Sequence, residues 1–70
     1  MSKVKVIVKG MNCNHCKMIV ETNIKKLKGI EDVLADIEKE EVVISGENID
    51  LEQVRLTVEG IGYKYMGSLN

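Results

Sequence analysis

The chain has 70 residues, enough for a single domain over residues 1–70, and its 44% apolar content is normal for a folded globular protein. It contains no Trp, Phe or Pro, so its core has to be built from aliphatic side chains. The net charge is −1 and basic residues do not alternate with aromatic ones, which argues against a nucleic-acid surface.

The first part of the chain predicts a strand followed by a helix. Valines alternate with lysines over residues 3–9, which is typical of a half-buried strand that ends at Gly10. A helix is expected to begin between Asn12 and Asn14, with either Asn as its cap. The helix is expected to end at Gly29. Its apolar residues recur at helical spacing: Cys16, Val20, Ile24 and Leu27.

The second part predicts a hairpin, a helix and a last strand. Residues 30–38 and the run from Val42 to Gly46 alternate as two strands joined by a turn at Lys39 and Glu40. Asp50 is a suitable helix cap, and the inner face of the helix is expected to carry Leu51, Val54, Val58 and Ile61. Residues 63–69 are predicted to form the fourth strand.

The order of these elements is β-α-β-β-α-β. This order is that of an α+β, ferredoxin-like sandwich, in which a four-stranded antiparallel sheet carries two helices on one face. The sequence therefore predicts this fold for the whole chain.

The chemically distinctive residues lie at the first strand-to-helix turn. Both cysteines of the chain, Cys13 and Cys16, are here, with the only histidine, His15, between them. Free backbone N–H groups and the helix dipole stabilise thiolates at a helix start, and Lys17 adds a nearby positive charge. We expect the thiols to ionise at a lower pH than an ordinary cysteine, whose pKa is about 8.5.

Two thiolates at one turn indicate either a soft-metal site or a dithiol redox site. Structural zinc normally takes four ligands, and two cysteines with one histidine cannot supply a closed site within one chain. Two thiolates suit Cu(I), and a two-ligand turn leaves the ion transferable. The alternative is a thiol–disulfide oxidoreductase, but such folds place a cis-proline opposite their CxxC motif and this chain has no proline.

The turn also resembles a known family. Residues 10–16, Gly-Met-Asn-Cys-Asn-His-Cys, are similar to the GMxCxxC signature of the heavy-metal-associated domain, and the similarity continues through residues 29–33, 37–39 and 62–63. The free-standing domains of this family that the chain resembles are the bacterial copper chaperones. The resemblance implies a Cu(I) carrier that delivers copper to a metal-transporting P-type ATPase or its soluble metal-binding domain, and it implies no enzyme activity.

The resemblance also implies residue roles. Cys13 and Cys16 would be the metal ligands, Met11 a buried support beneath the loop, and Tyr63 an aromatic residue near the metal. His15 would be exposed and tune the thiolates or metal release, with a role as third ligand as the alternative. Asn12 stands where Thr or Ser is usual, which leaves Zn(II), Cd(II) or Hg(II) as alternatives to Cu(I) in a carrier or sensor.

The sequence also predicts where the protein is located and its oligomeric state. No apolar run is long enough to span a bilayer and the first residues do not form a secretory signal, so a cytoplasmic protein is expected. It is expected to be a monomer, with a metal-bridged dimer as the alternative.

Seven lysines but only Glu21 lie in residues 1–28, whereas residues 31–70 carry ten acids and three basic residues. Lysines near the turn are therefore predicted to dock on an acidic partner: Lys9, Lys17, Lys25 and Lys26.

Overall fold

The computed structural model describes residues 2–69 and contains the six predicted elements in the predicted order. They are β1 (Ser2–Lys9), α1 (Asn14–Lys25), β2 (Ile30–Asp36), β3 (Glu41–Gly46), α2 (Leu51–Gly60) and β4 (Lys64–Ser68). The strands form one antiparallel sheet in the order β2-β3-β1-β4, with β2 and β4 at its edges. The α+β ferredoxin-like prediction is confirmed.

The core lies between the helices and one face of the sheet. Alternate residues of each strand point towards the helices, and the fully buried side chains are all aliphatic, as the composition requires: Val6, Val8, Val20, Ile24, Val42, Ile44, Val54 and Val58. Burying a side chain of this size stabilises the fold by about 1.5–3 kcal/mol, which is why the period-two pattern of β1 sets its orientation. Leu51 and Ile61 are only partly buried and pack against this core.

Several predicted boundaries require correction. Neither Asn12 nor Asn14 caps α1, since its N-cap is Cys13, which has an extended backbone and makes no side-chain capping hydrogen bond. Strand β2 ends at Asp36 instead of 38, because its carboxylate accepts a hydrogen bond from the Lys39 amide at 3.1 Å and starts the turn. Strand β4 covers Lys64–Ser68, one residue shorter at each end than predicted.

The predicted cap of α2 is confirmed. One carboxylate oxygen of Asp50 accepts hydrogen bonds from the amides of Glu52 at 3.0 Å and Gln53 at 3.4 Å. Asn23, a polar residue close to the apolar stripe of α1, donates its side-chain amide to the Ile19 carbonyl at 2.7 Å. No helix within residues 2–69 is both long enough and apolar enough to cross a membrane.

Candidate metal site

The two thiols meet at one end of the sheet, in the connection between β1 and α1. Cys13 is exposed at the N-cap position, and Cys16 is half-buried in the first turn of the helix. Their Sγ atoms lie 3.4 Å apart, so one thiol can donate a hydrogen bond to the other. The i, i+3 spacing across a helix start therefore brings both sulfurs to one surface position, and both are free thiols.

The loop before Cys13 depends on a close approach of Tyr63. Gly10 has φ +106°, a conformation that side chains rarely adopt, and a Cβ atom here would lie 3.1 Å from Cδ1 of Tyr63. Met11 is only 4% exposed and belongs to the core. Met11 is thus buried, as the resemblance implies, and the ring of Tyr63 lies beside Gly10, whereas the support of the loop by Met11 stays a prediction.

Tyr63 also sets the acidity of Cys16. The pKa of the Cys16 thiol is lowered to about 7, chiefly because the Tyr63 hydroxyl donates a hydrogen bond to its thiolate. The backbone amide of Asn12 and the Cys13 thiol lower it further. The same contact raises the pKa of Tyr63, since the phenol has to stay protonated to donate. The expectation of an easily ionised thiol is therefore confirmed for Cys16.

His15 and Lys17 lie beside the two cysteines on α1, and their roles at the site are not tested by the contacts that they make. His15 is exposed on α1, and within residues 2–69 no group of three or more Cys, His, Asp or Glu side chains forms a metal cluster. The Lys17 ammonium lies 3.6 Å from the Glu21 carboxylate, so it forms an ion pair within the helix. Tuning of the thiolates by either residue stays a prediction.

Glu21 is a residue near the site to which the sequence analysis assigned no role. Besides pairing with Lys17, its carboxylate accepts a hydrogen bond from the backbone amide of Ala35 at 2.8 Å. Ala35 belongs to the edge strand β2, so this contact ties the middle of α1 to the sheet. The i, i+4 spacing of Lys17 and Glu21 is a recognisable signal for the ion pair, whereas nothing in the sequence indicates the contact with Ala35.

The fold and the two-thiol turn define the class of protein. The family model of the heavy-metal-associated domain matches residues 5–64, so the chain belongs to the heavy-metal-associated domain family, and the resemblance seen in the sequence is confirmed. It is a metal-binding domain.

Individual relatives are also similar to the chain. A copper chaperone CopZ of Staphylococcus haemolyticus is 39% identical over 62 residues, which cover 84% of this chain and 91% of that protein. A probable copper-transporting ATPase of Arabidopsis thaliana is 34% identical over 59 residues, which cover 81% of this chain and 6% of the ATPase. The solved structure of a CopZ metallochaperone matches with a TM-score of 0.89 at 25% identity, covering 93% of this chain and 100% of that one.

Proposed function

We propose that this protein is a carrier of Cu(I) that binds the ion through Cys13 and Cys16 and passes it to a partner by thiolate exchange. The observation that carries the proposal is the pair of free thiols, 3.4 Å apart on an exposed turn. The family assignment supports metal binding, and the relatives named as copper chaperones support copper as the ion. The proposed role is that of a carrier and not of an enzyme.

The donor set favours Cu(I) over Zn(II) and Cd(II). Two thiolates suit a low-coordinate soft ion, whereas structural zinc takes four ligands. With two sulfurs from one chain, Zn(II) or Cd(II) would take their remaining ligands from solvent, a small thiol or a second copy, whereas Hg(II), like Cu(I), accepts two thiolates. The test below distinguishes Cu(I) from Zn(II).

Release would follow from the different surroundings of the two thiols. An incoming thiolate from a partner would reach the exposed side of the turn, where Cys13 lies. As the new metal–sulfur bond forms, Cys16 would leave as a thiolate, which the hydroxyl of Tyr63 stabilises without a proton having to arrive. Cys13 would leave second, when a further partner thiolate binds.

The proposed partner is a metal-transporting P-type ATPase or its soluble metal-binding domain. This partner is supported by the similarity of the chain to a small part, 6%, of a protein named as a probable copper-transporting ATPase. The proposed location is the cytoplasm, where glutathione keeps thiols reduced and able to bind metal.

The proposal is tested by anaerobic titration with Cu(I) and Zn(II) against competing chelators. We expect one Cu(I) per chain, and the loss of affinity in Cys13→Ser or Cys16→Ser should exceed the roughly 10–100-fold cost of removing an outer contact. His15→Ala serves as the control and should change the affinity much less.

Two outcomes would contradict the proposal. If Zn(II) displaces Cu(I) at equal concentration, the carrier serves a different ion. If the metal-free protein instead reduces disulfides catalytically at a rate that depends on both cysteines, the redox alternative holds, for which the short distance between the two sulfurs is the favouring observation.

A further inference from the structure

The sheet has a second face, turned away from the helices, that carries a group of adjacent apolar side chains. Leu34 on β2 is 60% exposed and lies opposite Val43 on β3. Ile7 on β1 lies opposite Glu41, which is two residues from Val43 and therefore on the same face of β3. Met66 on the edge strand β4 is 53% exposed. We call these four residues, Ile7, Leu34, Val43 and Met66, the sheet-face patch.

Charged residues divide this face into two halves. The strands β2 and β3 carry its acids: Asp32, Asp36 and Glu41. The strands β1 and β4 carry its lysines: Lys3, Lys5, Lys9 and Lys64. Because the strand order is β2-β3-β1-β4, the acidic half and the basic half lie side by side with the sheet-face patch across their boundary.

Such a face is complementary to a second copy of itself. When two sheets meet face to face about a two-fold axis parallel to their strands, β2 and β3 of one copy lie against β4 and β1 of the other. The acids of each copy then face the lysines of its partner, and the two patches meet at the centre. A partner bearing one sign of charge would be repelled by half of this surface.

We propose that the chain self-associates through this face into a two-fold symmetric dimer that needs no metal. The turn with Cys13 and Cys16 lies at the end of the sheet beyond Lys9, outside the sheet-face patch, so both turns stay accessible in the dimer. Four strands of about six residues offer about 400 Å² per copy. A standard interface buries about 800 Å² per partner, so the dimer is weak and exchanges with the monomer.

The test uses the metal-free protein carrying Cys13→Ser and Cys16→Ser, which removes any dimer bridged by metal or disulfide. Sedimentation and NMR spectra are recorded from micromolar to millimolar protein. We expect the mean mass to rise with concentration and the amide shifts to change on β1, β2, β3 and β4 but not on the outer surface of α1. Nuclear Overhauser effects between a labelled and an unlabelled copy should connect Leu34 with residues of β1 or β4.

Matched substitutions separate this face from general hydrophobicity. Leu34→Lys and Met66→Glu each place a charge against the like-charged half of the second copy, so each should raise the dimer dissociation constant at least about tenfold. Leu56→Lys on α2 and Met18→Glu on α1 are the matched controls. They remove side chains that are 49% and 60% exposed on the helical side, and they should leave the constant unchanged.

Charge reversal provides a second, independent test. Within one copy the Lys5 ammonium lies 3.7 Å from the Glu41 carboxylate. Lys5→Glu alone should weaken the dimer, and the double variant with Glu41→Lys should restore it, because both the internal pair and the complementarity return. Monomeric protein at millimolar concentration, or shift changes confined to the turn and α1, would overturn the proposal.

Discussion

At the scale of single residues, Tyr63 acts on two parts of the candidate metal site, Gly10 and Cys16. Its ring occupies the space that a side chain at position 10 would need, and its hydroxyl donates to the Cys16 thiolate. The pKa of Cys16, about 7, means that this thiol is about half ionised at neutral pH. A ligand that is already a thiolate binds a soft ion without first releasing a proton.

Removal of the Tyr63 hydroxyl should make Cys16 a weaker acid. In Tyr63→Phe the pKa should rise from about 7 towards the ordinary value near 8.5, so the thiolate fraction at pH 7 should fall several-fold. The measurement is the pH dependence of Cys16 alkylation, resolved by mass spectrometry. Tyr65→Phe removes the same atom from β4 and is the matched control; an equal change in both variants would contradict the assignment.

The same contact makes a contribution to stability that depends on pH. The folded pKa of Cys16 lies below that of an unfolded cysteine, so the contribution is fully present above the unfolded value and is lost as the pH falls through about 7. Tyr63→Phe should reduce this dependence in urea unfolding measured across that range.

At the scale of secondary-structure elements, the two helices differ in how their N-termini are capped. Asp50 caps α2 with hydrogen bonds to two amides, whereas Cys13 occupies the cap position of α1 without a side-chain capping bond. Helix α1 is instead tied to the sheet near its middle by Glu21, whose carboxylate accepts a hydrogen bond from the Ala35 amide. One helix start is thus stabilised in the usual way, and the other is left open for the thiols.

Loss of the α2 cap should cost stability without affecting the metal site. Asp50→Ala should lower the free energy of unfolding by about 1 kcal/mol, because it leaves the amides of Glu52 and Gln53 without their acceptor. Urea unfolding measures this loss, and Asp50→Asn, which keeps an oxygen acceptor, should retain most of the stability. If both variants unfold at the same urea concentration as the original chain, the cap contributes nothing measurable.

At the scale of the whole molecule, charge is unevenly distributed along the chain, and in the fold the lysines near the turn are paired with acids. Lys9 and Lys17 flank the turn, but Lys9 lies 3.5 Å from Glu40 and Lys17 lies 3.6 Å from Glu21. Lys25 and Lys26 are at the other end of α1 from the turn, and a helix of 12 residues is about 18 Å long. The lysines predicted to dock therefore form two pairs: a near pair, Lys9 and Lys17, beside the turn, and a far pair, Lys25 and Lys26, at the other end of α1.

Neutralisation of the near pair should slow metal transfer more than neutralisation of the far pair. Lys9→Gln with Lys17→Gln should reduce the rate of transfer to an acidic acceptor domain several-fold at low salt, and added salt should diminish the difference. Lys25→Gln with Lys26→Gln makes the same change in net charge and is the control. The rates are compared with all three proteins fully loaded with Cu(I), because the predicted tuning of the thiolates by Lys17 would change the affinity. Equal rates in all three proteins would leave the lysines a role in solubility only.

The sequence by itself determined the element order, the buried faces and the pair of cysteines, because these depend on local periodicity and on short spacing along the chain. Alternating valines specify β1, and the spacing of Cys13 and Cys16 across a helix start brings their sulfurs together. The cap at Asp50 was predictable for the same reason, since capping involves residues two and three positions apart.

Only the tertiary structure decided which distant groups act on the turn. The family resemblance had placed Tyr63 near the metal, but its contact with Cys16, 47 positions away in the chain, arises because β4 pairs with β1 next to the loop. The contact between Glu21 and Ala35, the pairing of the lysines near the turn and the sheet-face patch likewise depend on how strands and helices are placed against each other. Hydrogen bonds and charges act over a few ångströms in space, whereas sequence patterns report only on neighbours along the chain.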